Sequence, residues 1–316
     1  MRIKQKRQNK MNMFWYKLRL KFLKPFNQGF LPIEDGHKIF YQEIGNKQGT
    51  PVLVFHGGPG GSSKPYQASG FNLKKHHVIL FDQRGCGKSE FEDFLKENTL
   101  NKTISDAKRL LKHLNIEQKI IVAGASYGVT CAIYFAVKNP DMVQKIVVNS
   151  VFLARKKDAD NMSPLANLFY PDALDILQTN AKKQNMFDFY YNKLFSKKQK
   201  DVELAMQYYA PFEHMIGTTN VSFNAKENSE KDIRKFKIFM HYMKNNFFLK
   251  DDELVKSAKK IAHIKTYIYH NRFDFNCPLY QAYDLHKALK NSELYIEPYK
   301  GHCSPELYLK MFNTFN

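Results

Sequence analysis

The chain has 316 residues, 43% hydrophobic, 25% charged and 14% aromatic, enough to bury a substantial core and too apolar for a disordered segment. A formal charge of +19 attracts polyanions, but the lysines are spread along the chain and no recognition motif accompanies them, so nucleic acid is not expected as a partner. Cys86, Cys131, Cys277 and Cys303 lie far apart, with no CxxC pair and no Cys/His cluster at zinc spacing. They predict free thiols in a reducing, cytoplasmic setting, with no metal and no cofactor.

Residues 1–24, "MRIKQKRQNKMNMFWYKLRLKFLK", hold nine Lys and Arg and no acid. They lack the continuous apolar run of a secretory signal, and no stretch of about 20 apolar residues anywhere could span a bilayer. Met11, Phe14, Trp15, Leu18 and Phe22 can share one helical face beside basic residues. This extension fits an interfacial membrane helix, an organellar presequence or a disordered basic tail, and translation could also start at Met11 or Met13.

From about residue 28 the pattern becomes regular. "GFLPIEDGHKIFYQEIG" places two alternating runs around Asp35-Gly36 and predicts a hairpin. "PVLVFHGG", "HHVILFDQRG", "KIIVAGAS" and "KIVVNSVF" follow as short apolar runs, the pattern of strands buried on both faces of a parallel sheet. Helices are predicted at roughly 99–114 and 127–138, the second stopping at Asn139-Pro140. Strand–helix alternation then lapses from 152 to 249, which is helical in pattern and rich in Phe, Tyr, Met and Lys. It resumes with "IKTYIYHNRFD", a helix near 279–289, "ELYIEPYKGH" and a terminal helix. The expected fold is α/β: a mostly parallel, doubly wound sheet with an antiparallel start, in two sequence pieces (25–151 and 250–316), under a helical cap at 152–249. A cap inserted there would cover the carboxyl ends of the strands, where such sheets bind ligands.

"GASYG" closes the third of these apolar runs just before a helix, the strand–turn–helix context of a nucleophile elbow, and makes Ser126 the candidate nucleophile. The amide after it, that of Tyr127, is one candidate oxyanion donor, and Gly58 within "HGGPGG" is the other. A serine hydroxyl needs a base held in one tautomer, in the order Ser, acid, His along the chain. "HNRFD" ends one late strand at Asp274 and "YKGH" ends the next at His302. Of the other histidines after the cap, His263 and His270 fit strand ends or core and His286 fits a helix surface. The predicted catalytic set is Ser126, Asp274 and His302.

Together "HGGPGG", "DQRGCGKS", "GASYG", "NRFDFNCP" and "GHC" resemble, in order and interval, the prolyl aminopeptidases (proline iminopeptidases) of the α/β-hydrolase superfamily. The resemblance covers about residue 26 to the end, firmly in the sheet and loosely in the cap. It implies metal-free hydrolysis of the bond after an amino-terminal proline. It also implies cap glutamates that receive the substrate ammonium, the first after a pair of tryptophans. In "AMQYYAPFEH" Tyr209 and Phe212 stand where those tryptophans would be, and Glu213 matches the glutamate. The second glutamate would precede His241-Tyr242 by two residues, and this chain has Phe239 there. Tyr127 replaces the family's usual Trp. Asp82 and Arg84 are expected to be structural.

The rival with the same triad is an esterase or amidase acting on small acyl compounds. A reading from another class is a non-catalytic scaffold whose basic extension targets a membrane or an anionic partner. The expected ligand is a peptide or small-molecule amine, and the oligomeric state is open.

Overall fold

The computed structural model describes residues 12–160, 167–182, 184–217 and 228–315; the side chains of 160 and 213–217 are outside that description. Eight strands form one sheet in the order β1-β3-β5-β4-β7-β8-β9-β10. They are β1 (Asn27–Phe30), β3 (Phe40–Gly45), β4 (Thr50–Phe55), β5 (His76–Phe81), β7 (Ile120–Ser126), β8 (Val143–Val151), β9 (Lys265–Asn271) and β10 (Ser292–Glu297). Only β3 runs against its neighbours; every pair from β5 to β10 is parallel. A small ladder joins β2 (His37–Lys38) to β6 (Glu90–Phe91). The turn at Asp35-Gly36 has φ of 54° and 79°, the double left-handed conformation of a two-residue hairpin.

The continuous apolar runs are explained by cover on both sides. Val122, Leu53 and Ile79 belong to one core cluster, whereas Val52, Ile121 and Val78 belong to a second beneath the other face. Alternate residues of one strand therefore meet different layers, as a period of two requires. On the first face lie α2 (Leu100–His113), capped by the Thr99 side chain, and α3 (Tyr127–Lys138). On the other lie α1 (Met13–Leu20) and the terminal helix, Pro305–Phe315, with Tyr16, Leu307, Tyr308 and Met311 buried together. So α1 is packed onto the body of the protein, through residues the sequence pattern set apart as an extension.

Between β8 and β9 come α4 (Lys156–Asp160), α5 (Pro171–Ala181), α6 (Met186–Leu194), α7 (Gln199–Gly217) and α8 (Glu230–Lys244). They carry a separate apolar cluster that includes Leu174, Leu177, Tyr190, Met206 and Met240. Polar attachments hold both ends of this block. At its entry buried Arg155 pairs with Asp158 and Asp284, each at 2.8 Å. At its exit the Tyr242 hydroxyl donates to Asn98 Oδ1 at 3.0 Å. Next come α9 (Glu253–Ala258) and α10 (Tyr280–Ala288); the terminal helix is then α11. Among the described residues no helix is long and apolar enough to cross a membrane.

Candidate active site

Ser126 sits where β7 stops and α3 begins, at φ 57° and ψ −129°, a conformation that costs a non-glycine residue about 1–3 kcal/mol. Its side chain makes no capping bond to the helix, which leaves the hydroxyl free. The two flanking glycines have steric reasons. A side chain at Gly124 would strike the backbone of Gly128, and one at Gly128 would strike the carbonyl of Phe55. The spacing lets strand, turn and helix approach closely, and the cost of the turn is carried by the buried strand and helix around it.

The loop after β4 lies against the elbow, with Gly57 facing Ser126 and Gly58 at φ 130°. His56 fixes this loop. Its Nε2 accepts the Gln83 amide at 3.0 Å, so Nδ1 carries the proton and donates to Gly57 O at 2.8 Å. Burial pushes the His56 pKa down and keeps the ring in this neutral form. The loop after β5 is held in turn: Asp82 accepts the amides of Ser63 and Lys88, and buried Arg84 pairs with Asp106 and Asp35. Asp82 and Arg84 thus hold loops together.

Asp274, 1% exposed, accepts the Cys277 amide at 2.8 Å on Oδ1 and faces His302 Nδ1 at 3.0 and 2.8 Å from its two oxygens. Burial is the largest single influence on the His302 pKa and lowers it, but the charge and hydrogen bond of Asp274, together with the neighbouring Cys303 and Cys277, outweigh it and raise the pKa well above 6.5. Cys277 lies close by, and its thiol, pushed up to about 11 by burial, is uncharged at neutral pH. The loop bearing His302 is anchored by Asn271, whose amide donates to Gly301 O and to Ser304 Oγ, and by the Cys303 amide donating to Ser150 Oγ at 3.1 Å. His270 is a structural histidine: fully buried, it accepts the Val151 amide on Nδ1 and donates from Nε2 to Cys277 O.

Ser126 and His302 line one cavity of about 440 Å³, with Gly57, Gly58, Tyr66, Phe152 and the cap residues Phe236 and Phe239 also in its wall. The described residues show no hydrogen bond between Ser126 Oγ and the imidazole, a contact that commonly tightens only when substrate binds. Among the described residues the lining contains no carboxylate. The cap reaches the loop after β4 through α8, whose Lys235 carbonyl packs on Gly60. One group of possible metal ligands occurs among the described residues: Asp274, Cys277 and His302, whose ligand atoms lie within 4.8 Å of one another. Two of its three members are already engaged with each other as a hydrogen-bonded pair.

The substrate-facing residues expected in the cap divide. Phe239 lines the cavity. Tyr209 and Phe212 do not: they are 4% and 1% exposed and pack in the apolar core of the cap, Tyr209 against Tyr190 at 5.3 Å. The helical period explains the correction. Positions 209 and 212 share the inner face of α7, and it is Ala210 that borders the cavity. The Glu213 side chain lies outside the described residues. The Tyr127 ring is wholly buried against Tyr242 and Phe247, so its side chain is withdrawn from the cavity. Sequence reasoning missed His56, Cys277, Cys303 and the aromatic wall of Tyr66, Phe152, Phe236 and Phe247; of these His56, Cys277 and Cys303 lay inside the motifs "HGGPGG", "NRFDFNCP" and "GHC" already singled out.

Residues 50–307 match the family model described as alpha/beta hydrolase fold. The probable proline iminopeptidase of Leptolyngbya boryana is 35% identical over 89% of this chain and 90% of its own length. The proline iminopeptidase of Arabidopsis thaliana is 34% identical over 90% of this chain and 77% of its own. Among solved structures, a proline iminopeptidase-related protein of Thermus thermophilus superposes with a TM-score of 0.58 at 18% identity, covering 91% of this chain and 95% of that one. A hydrolase from Pseudomonas aeruginosa gives 0.62 at 15% identity, covering 92% and 98%.

Proposed function

The chain belongs to the alpha/beta hydrolase fold family and, within it, to the proline iminopeptidases, and from that premise we infer a serine aminopeptidase that removes an amino-terminal residue, preferably proline, through an acyl-enzyme. One observation carries the assignment of roles: a strained, uncapped Ser126 and an Asp274-paired imidazole open onto the same cavity.

We assign the steps as follows. His302 accepts the Ser126 proton as the hydroxyl attacks the prolyl carbonyl, and Asp274 stabilises the imidazolium that forms. The amides of Tyr127 and Gly58 receive the oxyanion, with the amino end of α3 adding its dipole. His302 then returns the proton to the leaving amine, and water resolves the acyl-enzyme. The aromatic wall of Phe152, Phe236, Phe239 and Phe247 suits the apolar pyrrolidine ring. The ammonium is assigned to Glu213, with Phe239 where a second carboxylate would stand. Four free thiols, one beside the catalytic histidine, support a reducing, cytoplasmic setting.

Hydrolysis of a prolyl anilide, its N-acetylated form and short acyl esters by the purified protein tests this reading. The free-amine anilide should be preferred; equal turnover of the blocked anilide, or faster turnover of the esters, would replace the aminopeptidase by an esterase or amidase.

A further inference from the structure

The first described helix is tied to the body on one side and bare on the other. Asn12 caps it by accepting the Trp15 amide at 3.1 Å. Tyr16, 1% exposed, shares a 2.7 Å hydrogen bond with Ser69. Arg19 donates to Ser69 O and Phe71 O and lies 4.4 Å over the Phe312 ring. Leu23 is buried just beyond. These contacts fix the orientation of the segment, so what faces outward is held there. It is Phe14 at 69% exposure, Trp15 at 58% and Phe22 at 73%, with exposed Lys17, Lys21 and Lys24 among them.

Large aromatic side chains left in water on an anchored helix cost free energy unless something covers them. The charge around them says what. From residue 1 to 24 there is no acid, and residues 1–11 add Arg2, Lys4, Lys6, Arg7 and Lys10 just ahead of the patch. Glu306, an acid within electrostatic reach of Tyr16, is engaged by Lys300 at 3.2 Å. Tryptophan and phenylalanine beside lysines are the residues that settle at a bilayer interface, with the rings among the acyl chains and the ammonium groups at the headgroups. A single strand of nucleic acid would also welcome cations and rings, but successive bases need ring faces in register, and Phe14 and Trp15 stand at 79° to each other.

We propose that Phe14, Trp15 and Phe22, with Lys17, Lys21 and Lys24, form a docking surface for anionic lipid bilayers, which holds the enzyme at a membrane without crossing it. The helix that carries Phe14, Trp15 and Lys17 of this surface rests on the 3₁₀ turn Pro65–Gly70, and Tyr66 and Gln67 of that turn line the catalytic cavity. Docking would therefore set the cavity at a defined place relative to the lipid surface.

Trp15 is the only tryptophan in the chain, so its fluorescence reports on this patch alone. The full chain is mixed with phosphatidylcholine vesicles with and without phosphatidylserine. With phosphatidylserine the protein should sediment with the vesicles and its emission should move to shorter wavelength, both effects shrinking in high salt. Lys17→Gln/Lys21→Gln/Lys24→Gln should weaken partitioning on the order of 100-fold while keeping the fluorescent probe. Phe14→Ser/Trp15→Ser/Phe22→Ser should abolish sedimentation. Unchanged prolyl anilide hydrolysis shows that both variants are folded, so vesicle binding and peptidase activity are judged separately. Unmoved wild-type emission with no sedimentation would overturn the proposal. So would equal binding to neutral vesicles, undiminished binding by the serine variant, or an emission change produced by an oligonucleotide and not by vesicles.

Discussion

Gly57 and Ser126 face each other so closely that a methyl group at Gly57 would lie 3.1 Å from Ser126 Cβ and 3.7 Å from its Oγ. It would also meet Ala125 O at 3.0 Å, and backbone yields less readily than a side-chain tip. The glycine therefore protects the position of the hydroxyl. Gly57→Ala should fold, because the contact is tight by only a few tenths of an ångström, yet lower kcat about 10–100-fold by displacing the nucleophile. Thermal unfolding read alongside kcat separates the two effects, and wild-type turnover in a folded variant would show that the hydroxyl tolerates the shift.

The pH profile follows from the Asp274–His302 pair. His302 must be neutral to accept the serine proton, so activity rises as pH climbs through its pKa. Because the groups around His302, Asp274 first among those that favour the charged ring, raise that pKa well above 6.5, the acid limb of kcat/KM should fall above pH 6.5. Asp274→Asn removes the charge. The limb should move to lower pH and kcat should fall ~10⁴-fold, since the imidazole loses both its stabilising charge and its tautomer. An acid limb that stays in place in Asp274→Asn would assign it to another group.

The sheet, the strained turn at Ser126 and the Asp274–His302 pair were legible because each leaves a local mark. Strands buried on both faces need continuous apolar runs, and Gly124 and Gly128 are forced by backbone contacts near them in the fold. The terminal loops bearing Asp274 and His302 follow strands recognisable by their composition. The cap was less legible for a physical reason. Its helices are apolar on two sides, one toward their own cluster and one toward the cavity, so an aromatic pattern cannot say which side a residue takes. Tyr209 and Phe212 turn inward while Phe239 turns to the cavity, on neighbouring helices of similar composition. The first helix was obscured differently: its basic residues left an interfacial helix, a presequence and a disordered tail all open, whereas Tyr16 and Arg19 fasten it to the body through atoms 50 or more positions away.

Tyr127 separates a backbone role from a side-chain role. Its hydroxyl is buried beside Cys131 and Tyr242 and makes no hydrogen bond of good geometry among the described residues, and a poorly satisfied buried hydroxyl costs up to about 1–3 kcal/mol. Tyr127→Phe removes that hydroxyl and keeps the ring against Tyr242 and Phe247 as well as the amide. The variant should be at least as stable as the parent and keep its kcat. A large loss of activity would mean that the hydroxyl, and not only the amide, serves the reaction.

Phe212 and Phe239 should behave in opposite ways. Phe212→Ala opens a hole in the core of the cap and should destabilise the protein by about 3–5 kcal/mol, with no selective effect on substrates with free or blocked amines. Phe239 borders a cavity whose described wall has no carboxylate, so Phe239→Glu places an acid where an ammonium can reach it. A partly buried ammonium gains most from a partner it can hydrogen-bond. The ratio of kcat/KM for prolyl anilide over N-acetylprolyl anilide should therefore rise in Phe239→Glu, on the order of 10-fold if one charge-assisted bond forms. Glu213→Gln should lower the same ratio. If Phe239→Glu leaves the ratio unmoved while Glu213→Gln collapses it, a single carboxylate already saturates the amine, and the aromatic at 239 serves the ring of the substrate instead.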